Sequence, residues 1–174
     1  LGSAWARLLL EAGARKVYAG ARDPRGIGLP DVIPLELDIT RPEQVRRAAA
    51  ECADVTLLVN NAGIVRGGHV FDDEAADRAR QELDTNLFGT LAMCRAFAPV
   101  LGANGGGAMI NVLSVLSWIS IPGAATYAMS KAATWSITNG VRIAVKPQGT
   151  QVLGLHVAFM DTDMTAGIDA PKAT

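Results

Sequence analysis

Short apolar runs alternate with amphipathic stretches along this chain. The runs at 32–37, 55–60, 108–113 and 151–157 are rich in Val, Ile and Leu, and with Lys-Val-Tyr-Ala-Gly at 16–20 they read as strands. Two of them, Val-Thr-Leu-Leu-Val-Asn at 55–60 and Ala-Met-Ile-Asn-Val-Leu at 108–113, show no polar alternation, as expected of strands buried on both faces. Pro34 places the run at 32–37 on a sheet edge. Residues 3–12 read as a helix stopped by Gly13. The next helix spans 41–52. Thr40-Arg41-Pro42-Glu43 predicts its start: Thr40 at the N-cap, Pro42 in the first turn and Glu43 completing a capping box. Val45, Ala48, Ala49 and Cys52 fall on its apolar face. Residues 72–101 read as one or two helices ending at Gly102, and 125–145 as a helix stopped by Pro147 and Gly149. Strand and helix in alternation imply βαβ crossovers, hence an α/β, doubly wound parallel sheet of Rossmann type. No repeat or linker divides it, so residues 1–174 form a single domain. Ligands in such sheets bind beyond the carboxyl ends of the strands.

Composition narrows the function. Of 174 residues 49% are hydrophobic and 19% charged, which excludes a disordered chain. Lys and Arg number 16 against 17 Asp and Glu, so neither a nucleic-acid surface nor a basic membrane patch is expected. The charge-free stretch 96–130 is broken by Asn104, three successive glycines, Asn111, serines and Pro122, so no membrane span is expected there. The opening residues 1–7 lack the marks of a signal peptide. Cys52 and Cys94 have no Cys-x-x-Cys partner, which points to a reducing, cytoplasmic setting. His69 and His156 have no ligand-spaced partner, and no metal is expected. Arg46, Arg47 and the acidic run 72–74 read as solvated helix faces, the acids complementing a helix N-terminus.

Candidate chemistry collects after the buried strands. Asn60-Asn61-Ala62-Gly63 follows one directly, where small residues let backbone approach a flat ligand. An ordinary Asn/Gly turn has the same composition. Tyr127 and Lys131 are four apart on a predicted helix and share a face. A cation beside a phenol favours phenolate, which would bring Tyr127 below its ordinary value near ~10 and make it a usable acid or base. Ser114, just past the strand at 108–113, can offer a hydroxyl to a carbonyl oxygen or bond its own backbone; Ser117 is a nearby competitor. Asn86 interrupts a helical stretch, where exposure is its plain explanation.

Taken together, the order Asn60-Asn61-Ala62-Gly63, Asn86, Ser114, Tyr127-x-x-x-Lys131 resembles the short-chain dehydrogenase/reductase family, over essentially the whole chain. The resemblance implies an oxidoreductase moving hydride between NADP(H) and a carbonyl or alcohol, with Asn86, Ser114, Tyr127 and Lys131 as the catalytic set. It assigns to the cofactor Gly2, the tail of a glycine-rich loop; Arg22, at the adenosine ribose; Asp38 and Ile39, at the adenine; Asn60, Ala62 and Gly63; Tyr127 and Lys131 again; and Thr162, at the nicotinamide carboxamide. Ala21 stands where an acid would select NAD, and Arg22 follows it, so NADP is expected, with NAD as the alternative. Val157-Ala158 replaces the family's Pro-Gly, so an Ala methyl crowds the nicotinamide side. Trp118, Ile119 and Ile121 are expected to wall a partly apolar substrate pocket.

The family's first strand and most of its glycine-rich loop have no counterpart here, so the resemblance implies a fragment incomplete at both ends that binds cofactor weakly. The strands at 16–20 and 55–60 are then expected about two strand spacings apart, near ~9.5 Å, without pairing directly. A homodimer or homotetramer built on helices 72–101 and 125–145 is implied, with no nucleic acid and no membrane as partner. Two rivals stand beside this reading: a non-catalytic nucleotide-binding scaffold of the same fold, and an extended-branch epimerase or dehydratase, against which Asn60-Asn61-Ala62-Gly63 speaks.

Overall fold

The computed structural model describes residues 1–162, 164, 172 and 173. Its elements run α1 (Gly2–Glu11), β1 (Val17–Ala21), β2 (Val32–Glu36), α2 (Pro42–Glu51), β3 (Leu57–Asn60), α3 (Ala75–Glu82), a π-helical turn (Leu83–Gly89), α4 (Thr90–Ala103), β4 (Ala108–Ser114), α5 (Ala125–Val145) and β5 (Gln151–Val157). Every strand pairing is parallel, and helices flank the strands. β1 pairs with β2, Val17 opposite Val32, and β3-β4-β5 form a second group with Leu57 opposite Ala108 and Ala108 opposite Gln151. Pro34 lies on β2, which pairs on one side only, where its missing N–H leaves no gap in a central ladder.

Among the described residues no pairing joins β1 to β3. They face a shared cavity of about 1450 Å³ whose walls carry Val17, Ala19, Leu57 and Val59. Lys16 and Tyr18 reach the Asp54 carboxylate near one end, Tyr18 donating at 2.9 Å.

The core joins α2, α4 and the three-stranded group. Val45, Ala48 and Cys52 meet Leu58, Met93, Cys94, Phe97, Leu101 and Met109, and Val145 and Val152 close the far side. The charge-free stretch 96–130 is distributed over the end of α4, β4, a 3-10 turn (Val115–Ser117) and the start of α5. The continuous helix 75–103 is long and apolar enough to cross a membrane, but it turns Met93, Cys94, Phe97 and Leu101 into this core.

Two local expectations are corrected. Thr40 does not cap α2: its hydroxyl and amide both bond Asp38 Oδ1, at 2.7 and 2.9 Å, and Arg41 occupies the N-cap without a side-chain bond. Asp38 lies two residues back, within reach of an Asx turn, and it captures the threonine first. The acidic run 72–74 precedes its helix and is not simply solvated. Asp72 accepts from Arg78 at 2.6 Å and from the His69 amide, and Glu74 accepts from Arg78 at 3.2 Å, tying the loop to α3.

Candidate active site

Asn86 occupies the π-helical turn between α3 and α4. Widened turns of this kind recur at functional sites. Exposure does not explain this asparagine, which is 1% exposed. Its Oδ1 accepts the Ile64 amide at 2.8 Å, and its Nδ2 donates to the Ile64 carbonyl and to Ser130 Oγ, both at 2.9 Å. Its own carbonyl accepts from Thr134 Oγ1 of α5 at 3.0 Å. Asn86 thus locks the loop after β3 to α5 by filling its amide with internal partners.

Gly63 shows how tight that junction is. A Cβ built there would lie 3.2 Å from Asn86 Oδ1 and 3.5 Å from Lys131 Nζ. A methyl there would meet Lys131 at ordinary contact but press on Asn86, which would have to give by a few tenths of an ångström.

Tyr127 and Lys131 share one face of α5, the ammonium 5.8 Å from the ring centroid. Lys131 Nζ donates to the Val112 carbonyl of β4 at 2.9 Å and is 5% exposed. Burial draws it down to about 8. Tyr127 moves the other way. Burial pushes the phenol up, a bond with the Ser114 hydroxyl draws it down, and the charge of Glu82 pushes it up again. The expected lowering of Tyr127 by Lys131 is therefore not found. The cation lies over the ring rather than at the phenol oxygen, and desolvation decides the direction.

Ser114 ends β4 and caps the 3-10 turn that follows. Its Oγ accepts the Leu116 amide at 3.1 Å, which leaves its proton to donate. Ser117 Oγ receives the Ser114 amide at 3.4 Å. Ser114, Tyr127 and Lys131 thus converge at the carboxyl end of β4, as the sequence predicts.

The residues expected to hold a cofactor border the large cavity at several points. Gly2, Arg22, Asp38, Ile39, Ala62 and Gly63 line it, with Gly2 opening α1 beside Asn61. The cavity does not include Ser114, Tyr127 or Lys131, but Gly63 belongs to its wall and touches their neighbourhood. Arg22 is exposed, and the adjacent Asp23 is taken by Arg25 at 2.9 Å. Thr40 holds the Asp38 carboxyl below its usual range through its hydroxyl and amide. Ile39 packs where Gly89 lacks a side chain: a Cβ there would lie 2.7 Å from Ile39 Cδ1. Asn60 also borders the cavity, but its side chain points into the core, donating to Asn111 Oδ1 at 2.8 Å and to Cys94 Sγ. Thr162 lies after β5, its hydroxyl 3.5 Å from the Met160 carbonyl.

Several residues at the site escape a linear reading. Asn111, Thr138, Thr134 and Ser130 are all at most 1% exposed and form a chain of bonds from Asn60 to the Tyr127 carbonyl. The spacing of four from Ser130 to Thr134 to Thr138 along α5 is the signal that the sequence carries. His156 stacks on Trp118 at 4.0 Å, Trp135 meets both edge-on, and its Nδ1 lies 3.1 Å from the Ser114 carbonyl.

Residues 1–173 match the family model described as short chain dehydrogenase. The chain belongs to that family. A crystal structure of a short chain dehydrogenase from Burkholderia cenocepacia J2315, in complex with NADP, superposes with a TM-score of 0.93 at 43% identity, covering 98% of this chain and 73% of that one. An uncharacterized oxidoreductase of Myxococcus xanthus is 29% identical over 98% of this chain and 72% of its own length. The uncharacterized oxidoreductase YusZ of Bacillus subtilis is 31% identical over 66% of this chain, a match spanning 42% of the relative. The short-chain dehydrogenase fold accounts for the parallel strands, the helical placement of Tyr127 and Lys131, and the loop after β3.

Proposed function

We propose that this protein is an NADP(H)-dependent oxidoreductase that interconverts a small carbonyl compound and its alcohol. The observation that carries the reading is the convergence of Ser114, Tyr127 and Lys131 beyond β4, next to the loop whose Gly63 packs over Asn86 and Lys131 at the wall of the large cavity. The dinucleotide fits the residues present. Gly2 exposes the amides at the start of α1 to the cavity, Arg22 offers a guanidinium to phosphate oxygens, and Asp38 and Ile39 form the adenine end. Asn60, Ala62, Gly63 and Thr162 complete the proposed cofactor set, Asn60 by holding the loop rather than by side-chain contact. When bound, the nicotinamide supplies or accepts the hydride.

The chain's own groups do the rest. The Ser114 hydroxyl, whose oxygen accepts the Leu116 amide, can turn its proton from the phenol to the carbonyl oxygen as negative charge grows there. Tyr127, held protonated by burial, delivers the proton that the alkoxide needs. Lys131, at about 8, is largely a cation at neutral pH and places positive charge under the phenol and near the Gly63 loop. Asn86 keeps that loop on α5. The exposed Trp118 and Ile119 form an apolar wall for the substrate. Buried free thiols at Cys52 and Cys94 suit a reducing cytoplasm, and a homodimer or homotetramer would use α3–α4 and α5.

NADPH oxidation with a panel of ketones tests the reading. Ser114→Ala is expected to lower kcat about 10²-fold with a smaller change in KM, the pattern of a donor that acts mainly in the transition state. Failure of the wild type to turn over any of them with either cofactor would overturn the proposal.

Two further outcomes concern the cofactor. Arg22→Ala is expected to weaken NADPH more than NADH, narrowing the ratio of kcat/KM values by about tenfold, since a guanidinium favours the 2′-phosphate. An unchanged ratio, or a wild type that prefers NADH, would count against NADP. Gly89→Ala should raise the KM for the cofactor several-fold while the helix stays folded, because the new methyl drives Ile39 from its seat. Circular dichroism and KM measured on the same preparation check both halves.

A further inference from the structure

β5 sends one side chain into the site that the mechanism above leaves unused. Leu113 faces His156 across the β4–β5 ladder, and the imidazole reaches one residue further, its Nδ1 3.1 Å from the Ser114 carbonyl. A carbonyl oxygen has no proton to give, so Nδ1 carries the proton and donates. Ser114 is thereby held at three points. Its amide donates to Ser117 Oγ, its Oγ accepts the Leu116 amide, and its carbonyl accepts from His156. The first two grips come from the 3-10 turn that Ser114 itself opens. The third comes from β5, 42 residues along the chain, and ties that turn to the sheet.

The same imidazole has a second partner. Trp118, which closes the 3-10 turn, stacks on it with centroids 4.0 Å apart and planes 21° from parallel. Trp135 of α5 meets both rings edge-on, 5.7 Å from His156 and 6.1 Å from Trp118. Trp118 is nonetheless 57% exposed, so these ring contacts, rather than enclosure, hold its indole in one place.

We propose that His156 is a positioning residue of this site: its Nδ1–H fixes the Ser114 peptide and its ring face fixes Trp118, so that one side chain sets the hydroxyl donor against the apolar wall. A donor works in the transition state only where it is already aimed, and small displacements are costly. His156 acts through Ser114 and Trp118 rather than on the reacting atoms. The role rests on the carbonyl-reduction reading above.

Two substitutions separate the two contacts. His156→Phe keeps a flat ring for Trp118 and removes the donor. His156→Asn places an amide N–H near the Nδ1 position and removes the ring. On the ketone that the wild type turns over best, the Phe variant is expected to lose about tenfold in kcat with KM within about twofold, and to keep the indole signal in near-ultraviolet circular dichroism. The Asn variant is expected to recover kcat to within about threefold of wild type, to raise KM about fivefold and to lose that indole signal, which Trp118→Leu identifies. A merely structural histidine would move kcat, KM and signal together in both variants. That outcome overturns the proposal, as does a Phe variant with wild-type kcat. The tautomer supplies a test that needs no turnover and no change at His156. The chain has two histidines, so His69→Gln leaves His156 as the sole imidazole. At alkaline pH, where imidazoles are neutral, its nitrogen NMR spectrum is expected to show Nδ1 protonated and Nε2 bare. The opposite tautomer overturns the proposal. A protein that shows this tautomer and the indole signal but reduces no carbonyl would instead overturn the carbonyl-reduction reading and leave the clamp standing.

Discussion

Tyr127→Phe is expected to lower kcat for carbonyl reduction by about 10²–10⁴-fold while the protein stays folded. The substitution removes one oxygen and its proton and keeps the ring. The ring is what packs: α5 remains held by the bonds of Ser130 and Thr134 to Asn86 and of Thr138 to Asn111, none of which involves the phenol. The lost group is the one that burial keeps protonated beside Ser114, so the alkoxide has no internal proton source. Thermal unfolding should change little, and the KM for the carbonyl substrate should change far less than kcat. A variant that keeps a tenth or more of wild-type turnover would remove Tyr127 from the mechanism.

Lys131→Met should make the folded protein more stable near pH 7 and at the same time nearly inactive. The sign follows from the direction of the shift. The ammonium titrates at about 8 in the folded chain and at 10.5 when free, so between those values the unfolded chain binds the extra proton. Wild-type stability therefore rises as pH goes from about 8 to 10.5, and below 8 the full cost of burying the cation remains. The displacement from 10.5 to about 8 corresponds to roughly 3 kcal/mol. Methionine fills the same channel without charge but leaves the Val112 carbonyl without this donor, which costs about 1 kcal/mol. A net gain of about 2 kcal/mol at pH 7 is expected, shrinking as pH rises. Urea unfolding of both proteins at pH 7 and pH 10 reads it. A variant less stable than wild type at pH 7 would show that the ammonium is stabilised where it lies and that burial is not the governing effect.

These expectations join fold and chemistry at α5. A helix placed by its apolar face also presents Tyr127, Ser130, Lys131, Thr134 and Thr138 to β4 and to the π-helical turn. A stability gain set against an activity loss at Lys131 would mark where function, rather than packing, determines a residue.

Much of this was legible along the chain. Periodicity located α5 and β5 at their observed bounds, because a 21-residue amphipathic stretch and a seven-residue apolar run have few alternatives. The four-residue step from Tyr127 to Lys131 placed both on one helix face before any contact was known. The ends of short elements were less legible. Thr40 had the composition of a cap, but whether it bonds forward to α2 or back to Asp38 depends on competing local geometries of similar energy.

What the sequence determined by itself is the alternation of strands and helices, the family pattern, and the residue types available for acid, hydroxyl and cation. Those depend on local spacing, which a linear chain carries. Only the tertiary structure decided how the groups are charged and partnered. Asn60 turned inward to Asn111, which lies 51 residues away. Glu82 became a fully buried side chain that bonds the Arg66 amide, and Tyr127 moved up rather than down. Desolvation and hydrogen-bond partners are set by what other segments bring to a point, so the sign of a pKa shift belongs to the packed molecule and is not written in the spacing of two residues on a helix.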